Sequence, residues 1–286
     1  SLACFLSGVR QVWFQHGPVG GLLDRLGVML PADRILINTH YLQEQHRRIR
    51  APFHWPSPQQ VLAYGIRQQE FAKEHREHLR RELLGPGQTL LAVLAGRLCS
   101  WKGQDNLIQA LARVKARGGA QILAPLRVLI VGKAMRDSDA AYEKGLRAAV
   151  KQAGLEEVVH FTGQRGDVQA LFAAADLALH CSSIPEPFGL VAAEALMQEC
   201  LLVGSDQGGI SDILQNQRTG LTFPSTRPEA AEQLALVLER VLKDLSQGKR
   251  EDYERMAQEG KRLVLREHSL AGMAQRLEEA YFQICN

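Results

Sequence analysis

The sequence predicts an α/β fold in which parallel strands are wound on both sides by helices. Three observations carry this. Short runs rich in Val, Ile and Leu alternate with segments of helical periodicity along the 286 residues. The later runs are apolar throughout, as strands covered on both faces must be. Several runs end in glycine and a polar residue, and open parallel sheets bind ligands at the carboxyl ends of their strands.

In order, "QVWFQ" (11–15) reads as a strand and "GGLLDRLGVML" (20–30) as a helix. "DRILIN" (33–38) reads as the next strand and "YLQEQHRRIR" (41–50) as a helix. "RAPFHWPSP" (50–58) has three prolines and is a connector, and "QVLAYGI" (60–66) is a strand. The charged helix "AKEHREHLRRELL" (72–84) is stopped by Gly85-Pro86-Gly87. Strands follow at 89–96, 126–132, 158–163, 177–182 and 201–205. Each is expected to precede a helix of roughly 10–20 residues, through right-handed crossovers. From about Arg227 the chain reads as helical, in segments 227–245, 251–265 and 269–284. No internal repeat interrupts this order.

Composition excludes several classes. Hydrophobic content of 45% and charge content of 23% are those of an ordinary globular protein. The net charge of +3 does not suggest a nucleic-acid binder. Its excess sits before Tyr64, where six arginines face three carboxylates. The five cysteines form no C-x-x-C pair and read as free thiols of a reducing compartment, so the expected location is cytoplasmic. No apolar run approaches the roughly 20 residues that span a bilayer. The opening "SLACFLSGVR" lacks the plan of a signal peptide and starts abruptly in apolar sequence.

The chemistry concentrates in "SIPEPFGLVAAEAL", Ser183 to Leu196. Phe188–Met197 reads as a helix with almost no polar face, so it is expected to be buried. Glu194 is its only charge, and an isolated glutamate there usually pairs with a cation or reaches solvent. Glu186 precedes the helix, held between Pro185 and Pro187, whose rings fix φ. Between the glutamates, the helix start at Phe188-Gly189-Leu190 offers free N–H groups to an anion, and Gly189 admits close approach. Carboxylate, anion site, carboxylate is the complement of a nucleotide sugar. A glycosidase pair would stand about 5–9.5 Å apart. Eight residues of helix span about 12 Å, which favours one ligand lying along the segment.

"EPFGLVAAE" resembles the Glu, seven residues, Glu motif of retaining glycosyltransferases of family 4, which have the GT-B fold. "GRLCSWKGQDNLIQAL" (96–111), "RVLIVG", "VVHFTGQRGDVQALFAAADLALHCS" and "GSDQGGISDIL" resemble that family's other blocks in the same order, from about Gln11 onward. The resemblance implies that Glu186 contacts the donor sugar and Glu194 the ribose. It implies that Pro187, Phe188, Gly189 and Leu190 bring backbone to sugar and diphosphate. Arg97, beside Gly96, and Lys102 would neutralise the diphosphate and stabilise the departing nucleotide. Gly132 and Gln164 would lie on the donor side, Gln164 near the nucleobase, and Gly208-Gly209 would line the pocket. Asp212 stands where the family often has Glu. In "WFQHGPVGG", His16 matches a histidine that the family carries near the reacting sugar. A lone histidine is more often structural.

The resemblance further implies residues 1–64 as the last part of an N-terminal, acceptor-side Rossmann-like domain. Residues 65–266 would be the nucleotide-sugar domain and 267–286 a helix crossing back. The expected function is retaining, metal-independent transfer of a sugar from a UDP- or GDP-sugar to a carbohydrate, lipid-linked or small-molecule acceptor, with no cofactor and no nucleic-acid partner. "HRRIRAPFHWPSP" (46–58) mixes cations with Phe53 and Trp55, which suits an anionic acceptor or the inner face of a membrane, although a solvated helix end reads the same. The missing opening strands imply a partner chain, self-association or a fragment. The rival readings are a non-catalytic nucleotide-sugar-binding module or partner subunit, and a different GT-B enzyme of phosphorylase or epimerase type.

Overall fold

A computed structural model describes residues 2–50, 57–225 and 229–285. Phe53 and Trp55, and the start of the helical tail at Arg227, lie outside the described residues. The chain begins with α1 (Leu2–Ser7), β1 (Val12–Gln15), α2 (Leu22–Val28), β2 (Arg34–Ile37), α3 (His40–Arg50) and β3 (Gln59–Val61). These three strands form a parallel sheet in the order β1-β2-β3. The helix α4 (Lys73–Leu83) leads to a second unit. Its strands are β4 (Leu90–Ala95), β5 (Leu126–Val131), β6 (Val159–Gly163), β7 (Leu177–His180), β8 (Leu201–Ser205) and β9 (Leu221–Phe223). Between them run α5 (Gln104–Val114), α6 (Ala120–Leu123), α7 (Asp137–Gln152), α8 (Val168–Ala174) and α9 (Leu190–Met197). The tail holds α10 (Ala230–Ser246), α11 (Glu251–Glu267) and α12 (Leu270–Cys285).

The six strands form one sheet in the order β6-β5-β4-β7-β8-β9, every described pairing parallel. Alternation along β4 divides the core. Leu90, Ala92 and Leu94 face α5, α7 and α10, while Leu91 and Val93 face α8, α9 and α11. Both faces are thus apolar, which is why the strand sequences show no polar alternation. The strand order reverses between β4 and β7, and that switch point opens the crevice where the site lies.

Four details differ from the sequence expectation. The helices after β6 and β7 have seven and eight residues, and β8 leads only to a four-residue 3₁₀ turn, Gly209–Asp212. The loop between β7 and α9 and the glycines after β8 take up the chain that longer helices would need. The strand read at 60–66 leaves its sheet after Val61, and Ile66 bridges Ser269 instead. Finally, α1 and the short edge strand β9 were not legible as elements.

The two sheets are joined by α12, whose Met273, Leu277 and Ala280 pack with Leu36, Leu62, Val12 and Phe14 of the smaller unit. Cys99, Cys181 and Cys200 are buried free thiols. Among the described residues, no helix is long and apolar enough to cross a membrane.

Candidate active site

A cavity of about 430 Å³ lies over the ends of β4, β5 and β6, and α9 closes it. Its wall includes Gly96, Arg97, Gly132, Lys133, Gln164, Arg165, Val191 and Glu194. Five residues singled out from sequence therefore share one space: Gly96, Arg97, Gly132, Gln164 and Glu194. The Arg97 guanidinium stands 3.8 Å from Asp139, too far for a hydrogen bond, and its buried Nε has no partner.

The helix α9 differs from the buried helix expected. Its inner face, Ala192, Ala193, Ala195, Leu196 and Met197, is buried, whereas Leu190 is exposed and Val191 and Glu194 are partly so. These three share one stripe, and Val191 and Glu194 turn it to the cavity. Among the described residues no cation forms an ion pair with Glu194. Burial raises its pKa above the ordinary carboxylate value, and a hydrogen bond with the Gln169 side chain offsets part of that. The helix starts after Gly189, in the left-handed region at φ 92°, with no side-chain cap. The first helical bond is donated by Ala193 to Gly189, so the preceding N–H groups have no intrahelical acceptor. Phe188 is buried in the core below.

Glu186 and Lys102 are not on that cavity's wall. They meet beside it, Lys102 Nζ lying 2.7 Å from Glu186 Oε2. Ser182 Oγ donates to the same oxygen at 3.0 Å, and His180 Nε2 lies 3.3 Å from it. Burial alone would raise the Glu186 pKa. The His180 hydrogen bond and the Lys102 charge overcome that and hold it at about 2. Lys102, expected to face a diphosphate with Arg97, is thus engaged by a carboxylate instead. Its ammonium also lies 4.3 Å from the centre of the Trp101 ring.

Gly208 and Gly209 do approach closely, but they approach protein. A Cβ on Gly208 would sit 2.3 Å from the Glu186 carbonyl oxygen, and one on Gly209 would sit 2.1 Å from that of Pro187. Gly209 N–H donates to Glu186 O at 2.6 Å. From the smaller unit, Thr39 Oγ1 donates to Pro187 O at 3.1 Å, and Asp212 accepts from His40 N–H at 2.9 Å. The Glu186–Pro187 turn is therefore gripped from both sides.

His16 lies past the end of β1, exposed, stacked on Phe14 and 2.6 Å from the Tyr64 hydroxyl through Nδ1. Burial raises the Tyr64 pKa, so the hydroxyl keeps its proton and can donate it to Nδ1 in the tautomer that leaves Nδ1 bare. The His16 Nε2 then carries the ring proton and is a donor. Tyr64 also packs edge-on against Phe188, with ring centres 5.1 Å apart, and so links His16 to the Glu186 turn. Sequence reasoning passes over Tyr64, His180 and Ser182. Two polar residues at the end of the apolar run "LALHCS" were the available signal. Among the described residues, no group of three His, Cys, Asp or Glu could hold a metal ion.

The sequence pattern of glycosyl transferases group 1 matches residues 75–263. Lipopolysaccharide 1,2-N-acetylglucosaminetransferase of Salmonella typhimurium is 23% identical over 222 residues, which are 77% of this chain and 55% of that protein. D-inositol 3-phosphate glycosyltransferase of Corynebacterium aurimucosum is 33% identical over 172 residues, 59% of this chain and 38% of the relative. The chain thus spans about half the length of such relatives or less. Among solved structures, Anabaena Alr3699/HepE in complex with UDP matches with a TM-score of 0.84 at 23% identity, covering 99% of this chain and 74% of that one. The fold is GT-B, and the chain belongs to the glycosyl transferases group 1 family.

Proposed function

We propose that this chain binds a nucleotide-diphosphate sugar and transfers its sugar with retention of configuration, without a metal or other cofactor. The observation that carries the reading is the position of the two glutamates. Glu186 precedes an uncapped helix start, and Glu194 follows one turn later, facing a cavity lined by Arg97 and Lys133. In this reading Glu194 accepts from the ribose hydroxyls and Gln164 borders the base. The diphosphate lies against the first N–H groups of α9, Arg97 and Lys102. Glu186 and the His16 Nε2–H meet the donor sugar from opposite sides.

The chemistry follows from charge. As the bond from sugar to phosphate breaks, negative charge grows on the leaving oxygen, and Arg97, Lys102 and the helix start stabilise it. That oxygen, on the face from which the acceptor arrives, takes the acceptor's proton. His16 holds the sugar as a donor and is not the base. UDP is the first nucleotide to test, because HepE was solved with UDP; GDP is the alternative. A carbohydrate, lipid-linked or small-molecule acceptor would enter from the side of the smaller sheet.

Thermal-shift screening with UDP, GDP, ADP and their sugars tests this, followed by donor hydrolysis and transfer assays. The reading expects stabilisation by one nucleotide and its sugar, and slow donor hydrolysis. Stabilisation with neither hydrolysis nor transfer would support a binding module instead. No stabilisation by any nucleotide would refute both.

A further inference from the structure

We infer that His180 and Ser182 are positioning residues for Glu186, fixing one carboxylate oxygen so that the other alone meets the donor sugar. The inference rests on the donor-site reading above and adds to it how the sugar contact is oriented.

Two hydrogen bonds are donated to Glu186 Oε2, from Lys102 Nζ at 2.7 Å and Ser182 Oγ at 3.0 Å, and His180 Nε2 lies 3.3 Å from the same oxygen. Among the described residues none donates to Oε1, and Oε1 is not one of the sealed polar atoms without a partner. A carboxylate oxygen offers about two lone-pair directions. Oε2 is therefore saturated, and Oε1 is the free acceptor. The proton inventory closes. A carboxylate only accepts, so the His180 Nε2 carries hydrogen, and in the neutral ring Nδ1 accepts from the Ser205 hydroxyl, 3.2 Å away. Ser182 spends its one proton on Oε2 and can accept from His180 Nε2 at 3.4 Å.

The hold is built on the sheet. His180 ends β7, opposite Gly204 of β8, and Ser205 is the next residue of β8. Both His180 and Ser182 are buried, and the Glu186 backbone is separately tied through Gly209. This matters because Lys102 has two claims on its charge. When a diphosphate draws the ammonium away, His180 and Ser182 still hold Oε2, and Oε1 keeps its aim. A carboxylate held by a flexible lysine alone would turn with it.

The test is calorimetric titration of the full chain with UDP, UDP-glucose, GDP and GDP-mannose. The quantity read is the affinity of the sugar nucleotide relative to its nucleotide. In both His180→Leu and Ser182→Ala the ratio is expected to fall about tenfold, the cost of losing one polar contact to a charged group. His180→Gln, which keeps a donor, should retain most of the ratio. Affinity for the nucleotide alone should stay within about twofold of the parent, because the nucleotide meets Glu186 only indirectly, through Lys102. If His180→Leu does not fold, Ser182→Ala and His180→Gln are judged by the same ratio. Ratios equal to the parent's in both His180→Leu and Ser182→Ala overturn the inference, as does equal loss for nucleotide and sugar nucleotide. So does a parent chain that binds a nucleotide but gains nothing from any attached sugar, and in these three cases the donor-nucleotide reading survives. A parent that binds no nucleotide removes both.

Discussion

Glu186 and Glu194 are eight positions apart, and burial pushes both carboxyls up, but only Glu186 has partners that reverse the shift. Glu194 has no cation beside it, so desolvation raises its pKa above the ordinary 4.5. In the proposed function it accepts from both ribose hydroxyls at full strength only when ionised. Nucleotide affinity should therefore begin to fall on acidification at a pH above the ordinary glutamate value. Glu194→Gln should cost roughly tenfold in affinity and flatten that acid limb, since the amide does not titrate there. Affinity measured across pH for both proteins checks this. Glu186 has the reverse sign. Its folded-state pKa of about 2 lies below the ordinary 4.5, so its contribution to stability is full above that value and lost as pH falls toward 2. Glu186→Gln should therefore show a smaller stability loss than the parent between pH 4.5 and 2, read from urea midpoints. At pH 7 it should be less stable by about 3 kcal/mol, because the partly buried Lys102 ammonium is left unpaired. The sequence showed that these carboxylates were unusual, through two prolines and an apolar run. It did not show Lys102 turned to Glu186, because that pair joins residues 84 positions apart in sequence.

At the scale of elements, strands and their ends were the most legible features. A strand buried on both faces leaves an apolar run, and β4, β5, β7 and β8 leave clear ones. The short α8 was not legible as short, whereas α9 ends at Met197, where the sequence put it, and starts two residues later than Phe188. The edge strand β9 alternates buried and partly exposed residues over three positions, too few for a period to show. The 3₁₀ turn Ser100–Lys102, which carries Lys102, depends on one close approach. Gly103 sits at φ 67°, and a Cβ there would come 1.8 Å from the Cys181 carbonyl oxygen. Gly103→Ala must push β4's loop away from β7's and separate Lys102 from Glu186. It is expected to cost at least about 2 kcal/mol, through left-handed strain and overpacking, measured by chemical denaturation. A variant as stable as the parent would contradict that tight seam.

The whole molecule is two parallel sheets meeting along the Glu186–Pro187 turn. From the smaller sheet Thr39 bonds Pro187 and Tyr64 packs on Phe188, Gly208 and Gly209 close on the turn from the larger, and His40 of the smaller sheet donates to Asp212 of the larger. The GT-B fold was legible because several weak motifs stood in one order. The seam was not, because its contacts join loops distant in sequence and each is one hydrogen bond or one ring contact. The central claim is that this crevice holds a nucleotide sugar between Glu194 and Glu186. Calorimetric titration of the chain with UDP, GDP and their sugars tests it most directly, with Glu194→Gln as the control. Binding of one nucleotide, tighter binding of its sugar, and weaker binding of both in Glu194→Gln are expected. Binding of neither nucleotide, or a Glu194→Gln protein that binds as well as the parent, would contradict it.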